Sequence, residues 1–204
     1  MKSLQVFLLA AVGAGLALAP AAWAAGPHEV PIREFAETTV KAWISDPFVI
    51  RAIKQQNAKH AGISENDIIA MDKRWRAETR ATKRPMIDRV LANDLSQLLI
   101  EASKGQGGVV TEIFIMDNRG LNVGQSAVTS DFWQGDEAKW KETYLVGPGA
   151  MLIDEVELDE STQTFQSQLS MSITDPASGK VIGAITIGLD VELVVMANLE
   201  SMSR

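Results

Sequence analysis

The 204-residue sequence contains no cysteine. That absence removes disulfide staples, thiol nucleophiles and Cys-type zinc sites, so any folded domain must hold together on its apolar core. Histidine is nearly missing too. The only two, His28 and His60, lack metal-ligand spacing, and both are expected at the surface. Tyrosine occurs once, at Tyr144. Positive charge is scarce: 19 Lys and Arg against 26 Asp and Glu leave a net charge of −7. Such a balance excludes a general nucleic-acid binder, because phosphate contact needs a basic surface. Beyond the N-terminal segment no apolar run is long enough to span a bilayer. The 46% hydrophobic content still suffices to bury the core of one ordinary domain.

The chain opens with Lys2, an apolar run over residues 6–18, Pro20, and the small-residue site Ala22-Trp23-Ala24. This is the layout of a secretory signal peptide, with an uncleaved anchor as the alternative. The expectation is a signal peptide over residues 1–24 and a single domain over 25–204. The mature protein is then periplasmic or otherwise exported, with no membrane span after cleavage.

Apolar residues at helical spacing predict a helix from Ile32 to Ile44. Ser45-Asp46-Pro47 interrupts it, with Asp46 as the cap of a second helix ending near His60. Ser64 and Asp67 form a capping box for a third helix, and Pro85 starts a fourth, carrying Ile87, Leu91, Leu95, Leu98 and Leu99, that ends at Gly105. The pattern then turns to strands. In Val109 to Met116 both alternating sets are apolar, as in a strand covered on both faces. Asp117-Asn118-Arg119-Gly120 is a hairpin turn into a second strand, residues 121–128. A polar, Trp-rich connector with a short helix at residues 136–142 follows. A third strand spans 151–158 and a turn 159–162. A fourth strand has Phe165, Leu169, Met171 and Ile173 on one face and Gln166, Gln168, Ser170 and Ser172 on the other. Asp175 to Gly179 turns it into a fifth strand ending in Asp190, which caps a last helix. The fold class is α+β, with long N-terminal helices (a layer over about 31–105) packed on a five-stranded antiparallel sheet (about 109–190) and a short C-terminal helix.

No catalytic constellation emerges. Gly124-Gln125-Ser126-Ala127-Val128 lacks the last glycine of a nucleophile elbow, and Gly105-Gln106-Gly107-Gly108 stands after a helix rather than after a strand. Asp117 to Gly120 lacks the ligand series of a calcium loop. The chain is therefore expected not to be an enzyme and to use neither metal nor cofactor. Two stretches draw attention. The connector Thr129 to Lys141 gathers Asp131, Trp133 and Trp140, with Tyr144 just beyond. These are either walls of a small-molecule pocket or core residues closing the open side of the sheet. Asp72-Lys73-Arg74-Trp75-Arg76 sets an aromatic among cations, either a carboxylate clamp or a solvated helix face with one buried Trp. Basic residues also outnumber acidic ones between Arg51 and Arg89, while acids dominate from Glu112 onward.

The helix order, the Trp43-Ile44-Ser45-Asp46-Pro47 break, the strand–turn–strand, and the closing Asp175-Pro176-Ala177-Ser178-Gly179 hairpin with Val181-Ile182-Gly183 carry a further implication. Together they resemble a single Cache domain, the PAS-like extracytoplasmic PDC sensor family, over about residues 34–199. The resemblance implies a small organic ligand, an organic acid or amino acid, bound between the sheet and the connector after the second strand. By position it implicates Asp131, Trp133 and Tyr144, with Arg74 and Trp75 as candidates from the helical layer. Asp190 matches an acidic position that contacts ligand amines in some members, and it equally suits a helix cap. Cache domains commonly sit between two membrane segments and feed a signalling module, and this sequence shows neither a second span nor such a module. The expected partner is thus a separate membrane-bound receptor or kinase, or a second copy through self-association. The alternative from another class is a protein-interaction module of the cell envelope that has the fold but no ligand, docking through its basic helical face or its long first helix on a membrane partner or on a second copy.

Overall fold

The computed structural model describes residues 26–159 and 163–203. The expected signal peptide lies outside these residues, as does most of the expected turn at 159–162. No helix among the described residues is long and apolar enough to cross a membrane.

The first helix forms as its periodicity predicts, with one addition. Helix α1 (Glu29–Phe35) runs through a π-helical turn (Ala36–Val40) into α2 (Lys41–Ile44), and Ile32, Ala36 and Val40 are fully buried. Asp46 then caps α3 (Pro47–Lys59), accepting from the Phe48 amide at 2.7 Å, and Val49, Ile50 and Ile53 face inward. Ser64 and Asp67 complete the expected capping box at the start of α4 (Glu65–Glu78).

The fourth expected helix is two. After α5 (Pro85–Leu91) the chain breaks, and α6 (Asp94–Lys104) starts anew. Asn93 causes the break. Its Oδ1 accepts from the Ser96 amide at 2.8 Å, while its Nδ2 donates to the Val123 carbonyl at 3.0 Å. An Asn side chain that competes for backbone groups favours a cap over a helix interior.

The sheet contains β1 (Val110–Met116), β2 (Asn122–Gln125), β3 (Met151–Ile153), β4 (Glu157–Asp159), β5 (Thr164–Thr174) and β6 (Val181–Asp190). The order is β2-β1-β6-β5-β3, with β4 also on β5 and every pairing antiparallel. The single third strand expected at 151–158 is thus two short ones. Met151 pairs with Met171 and Glu157 with Gln166; Asp154 still donates its amide to the Gln168 carbonyl at 2.9 Å, and the ladder lapses after it. Both edges of the sheet are therefore short. The two hairpins join where β1 pairs with β6, Ile115 facing Ile185. Helix α8 (Val191–Met202) follows, capped by Asp190, whose Oδ1 accepts from the Leu193 amide at 3.0 Å.

One sheet face carries Ile113, Ile115, Leu169, Ile173, Ile185 and Ile187 against Ile32, Val40, Ile53, Leu99 and Val194 of the helices. On the other, Phe114, Met116 and Ala184 lie beneath Trp140 and Tyr144. Both faces of β1 are covered, as its double apolar pattern predicts. One correction concerns His60, expected at the surface. It is buried, with Nδ1 at 2.9 Å from Oδ2 of the fully buried Asp117. Asp117 also accepts from the Arg119 and Leu121 amides through Oδ1 and from Gln56 Nε2 through Oδ2. This carboxylate locks the β1–β2 turn to α3.

Candidate ligand site

The connector between β2 and β3, residues 126–150, has two parts. Its first part is fastened to α4. Fully buried Trp75 donates from Nε1 to the Thr129 carbonyl at 2.8 Å and stacks on Phe132 with centroids 5.3 Å apart. Asp72 Oδ1 accepts from the Phe132 and Trp133 amides at 3.0 and 3.1 Å. Arg76 then bridges two acids, with Nε on Asp72 at 2.7 Å and Nη1 beside Asp131 Oδ1 at 2.7 Å. Its hydrogen bond to Asp72 holds the guanidinium pKa above its usual value, against the opposing effect of burial. Trp133 leans on the hairpin turn and donates from Nε1 to the Arg119 carbonyl at 2.8 Å.

The second part is α7 (Ala138–Lys141), which lies over the far face of the sheet. Trp140 donates from Nε1 to the Asp117 carbonyl at 3.1 Å and stacks on Tyr144 at 4.8 Å. Burial raises the Tyr144 phenol pKa, the nearby Asp117 adds to this, and Arg119 opposes it.

Beside α7 the far face opens into a cavity of about 630 Å³. The floor is the polar side of β5, Gln166 and Gln168, with Glu112 of β1. The rim is the stretch between β3 and β4, together with β4 itself: Asp154, Glu155, Glu157 and Asp159. Gly188 of β6 leaves room for the Glu112 stem, since a Cβ there would stand 2.9 Å from Glu112 Cγ. Lys139 of α7 reaches in as the one lysine among the described lining residues. Its side chain is only 16% exposed, its Nζ is 2.9 Å from Glu137 Oε2, and it sits 5.6 Å from the Phe114 ring centroid. A lysine this enclosed is uncommon without a partner.

The field inside is uneven. Burial pushes the Glu112 carboxyl above the ordinary glutamate range, Lys139 opposes this, Asp159 adds to it, and Gln168 Nε2 donates to Oε1 at 3.2 Å. Asp154 is likewise raised, first by burial, then by Glu142, Glu157 and Glu137, with Lys139 again opposing. Amide donors, carboxylates and one lysine can bind a small polar molecule through complementary charges and hydrogen bonds. Among the described residues no group of His, Asp or Glu is arranged to hold a metal ion.

The six residues singled out from the sequence fall in four places. Asp131, Trp75 and Trp133 come together at the fastening on α4. Arg74 is separate, pairing with Glu78 at 2.8 Å. Tyr144 stacks on Trp140, and Asp190 caps α8. None of the six lines the cavity. Sequence reasoning passed over Glu112, Lys139, Asp154 and Gln168. Glu112 carries the available signal, the one charged residue inside a mainly apolar strand.

No family model and no curated protein matches the chain. Among solved structures it is similar to the ligand-binding domain of the Pseudomonas aeruginosa PAO1 amino-acid chemoreceptor PctC in complex with GABA. That match has 13% identity and a TM-score of 0.36, over 65% of this chain and 55% of that one. It is similar to the ligand-binding domain of the Campylobacter jejuni chemoreceptor Tlp3 in complex with 4-methylisoleucine, with 11% identity and a TM-score of 0.37, over 84% and 63%. It is also similar to the sensor domain of the V. cholerae histidine kinase DctB, with 13% identity and a TM-score of 0.36, over 82% and 56%. In each case less than two thirds of the solved domain is spanned. The element order in this chain, helices first, then hairpin, connector, the remaining strands and last helix, is the α+β order that the sequence pattern predicts, with the third expected strand divided in two.

Proposed function

We propose that this protein is an exported small-molecule-binding module with a Cache-like fold, and that its ligand is a small amino acid held in the cavity beside α7. The observation that carries the reading is the enclosed lysine, Lys139, facing a rim of carboxylates across a space of about 630 Å³. A ligand carboxylate would meet Lys139, and a ligand ammonium would meet Glu112 and Asp154. The excess of acids favours an amino acid over a bare organic acid. Signalling passes through a separate partner, a membrane-bound receptor or kinase.

A thermal-shift screen of amino acids, organic acids and amines tests the proposal. A ligand at a hundredfold its dissociation constant stabilises the fold by about 2.7 kcal/mol. The expected result is a shift with an amino acid that Lys139→Met weakens and Trp133→Phe leaves in place. A panel without any shift, or a shift indifferent to Lys139→Met, overturns it. A second reading, docking of a protein partner, draws on the groove of about 330 Å³ between α3 and α6, where Arg51 and Lys59 flank Phe48, Leu95 and Val123.

A further inference from the structure

We propose that ligand binding in this cavity is coupled to proton release, the ammonium group of the ligand replacing protons held by Glu112 and Asp154. The inference rests on the reading of the cavity as the ligand site and adds how that site responds to pH. Its basis is the placement of charges. Glu112, Asp154, Glu155, Glu157 and Asp159 line one cavity, and the lysine that lines it with them is already bound to a further acid, Glu137.

Glu112 faces Lys139 from α7, Asp159 from β4 and Gln168 from β5. Asp154 faces Lys139, Glu137 and Glu142 in and around α7, and Glu157 from β4. Among the described residues neither carboxyl has a cation within ion-pair distance, and both are half-buried. An empty cavity of this kind lowers its charge by keeping protons, the response that burial and like charge favour. The directions of both carboxyl pKa values agree with that placement. An entering ammonium group adds a second counter-charge to that of Lys139. The carboxylic acid O–H bond breaks, the proton leaves to solvent, and the resulting carboxylate accepts from the ammonium.

The consequence is a site that reads acidity together with ligand. Each proton released makes affinity fall about tenfold per pH unit below the carboxyl midpoint. A bare anion bound at Lys139 gains nothing from this exchange.

Carbon-13 NMR titration of the side-chain carboxyls in the intact protein tests the coupling, with methylammonium chloride as the probe and sodium acetate and calcium chloride as comparisons. The expected result is that Glu112 and Asp154 titrate above the other carboxyls without probe, and that methylammonium lowers both midpoints while acetate does not. Ordinary midpoints in the free protein, midpoints that methylammonium leaves unmoved, or midpoints moved by calcium alone each overturn the proposal. Glu112→Gln should remove part of the pH dependence of methylammonium binding, and an unchanged pH profile counts against it. The two readings fail separately. A stabilising ligand that moves neither carboxyl sinks the proton coupling and keeps the ligand site. If no ligand of any charge stabilises the fold, the ligand site itself is lost.

Discussion

Glu78 offers a sharp test of how the helical layer is held. It ends α4, is 6% exposed, and reaches the start of α5, where its Oε2 accepts from the Met86 amide at 2.6 Å and the Ile87 amide at 3.1 Å. Its Oε1 accepts from Arg74 Nε at 2.8 Å. Arg84, at the capping position of α5, provides no side-chain cap. Glu78 therefore caps that helix from a neighbouring one. Loss of a cap costs about 0.5–2 kcal/mol, and leaving the buried Ile87 amide unsatisfied costs about 1–3 kcal/mol. The Arg74 contact adds little, because that arginine is more than half exposed. Glu78→Ala should thus lose about 2–3 kcal/mol at neutral pH. With a urea slope of about 2 kcal/mol/M, the denaturation midpoint falls by roughly 1 M.

The pH dependence follows from the direction of the shift. Burial alone would raise the Glu78 carboxyl, but Arg74 and the Ile87 and Met86 amides outweigh it and hold the group below the ordinary glutamate range. A carboxyl depressed in the folded state contributes stability that is present above the unfolded value and is lost as pH falls through the folded one. Urea melts of the parent and Glu78→Gln should therefore converge in acid. A Glu78→Ala variant within about 0.5 kcal/mol of the parent at neutral pH would refute the reasoning, given the size of a lost cap. So would a Glu78→Gln deficit that persists undiminished in acid.

Two further outcomes are expected. Gly120 has φ +79° and its missing Cβ would stand 2.5 Å from the Gly135 backbone, so Gly120→Ala should cost about 2 kcal/mol or more, measured by thermal melting. Glu112 has the opposite sign from Glu78: its carboxyl is raised by burial, so placing it in the folded state costs stability at neutral pH and that cost fades on acidification. Glu112→Gln should melt higher than the parent at neutral pH and lose that advantage in acid; a variant that melts lower at neutral pH contradicts the assignment.

Features written in a few adjacent residues were legible in the sequence. Asp46-Pro47 and Ser64 with Asp67 act on amides two or three positions away, so their capping needs no knowledge of the fold. The double apolar pattern of β1 likewise reports that both of its faces are covered, whereas the alternation in β5 misleads, since Phe165 is exposed while Ser170 and Ser172 are buried. Asn93 was hidden because its second hydrogen bond goes to Val123, thirty residues on. His60 was hidden because its partner, Asp117, comes from a different layer. The division of the third strand depends on which parts of β5 it meets. The cavity was the hardest to read, since Glu112, Lys139, Asp154 and Gln168 come from four separate segments and only the folded sheet brings them together. Aromatic residues in the connector announce buried area without saying whether it encloses a ligand or another side chain.

The short outer strands have a consequence for how any partner can approach. On one side the sheet ends in β2, four residues long, and on the other in β3 and β4, three residues each with a gap between them. An incoming peptide looking for a continuous row of open backbone amides finds too few in succession to extend the ladder. The sheet is thereby shielded from polymerising with its own copies, and recognition by another protein is left to the outer surfaces of the helices and the loops.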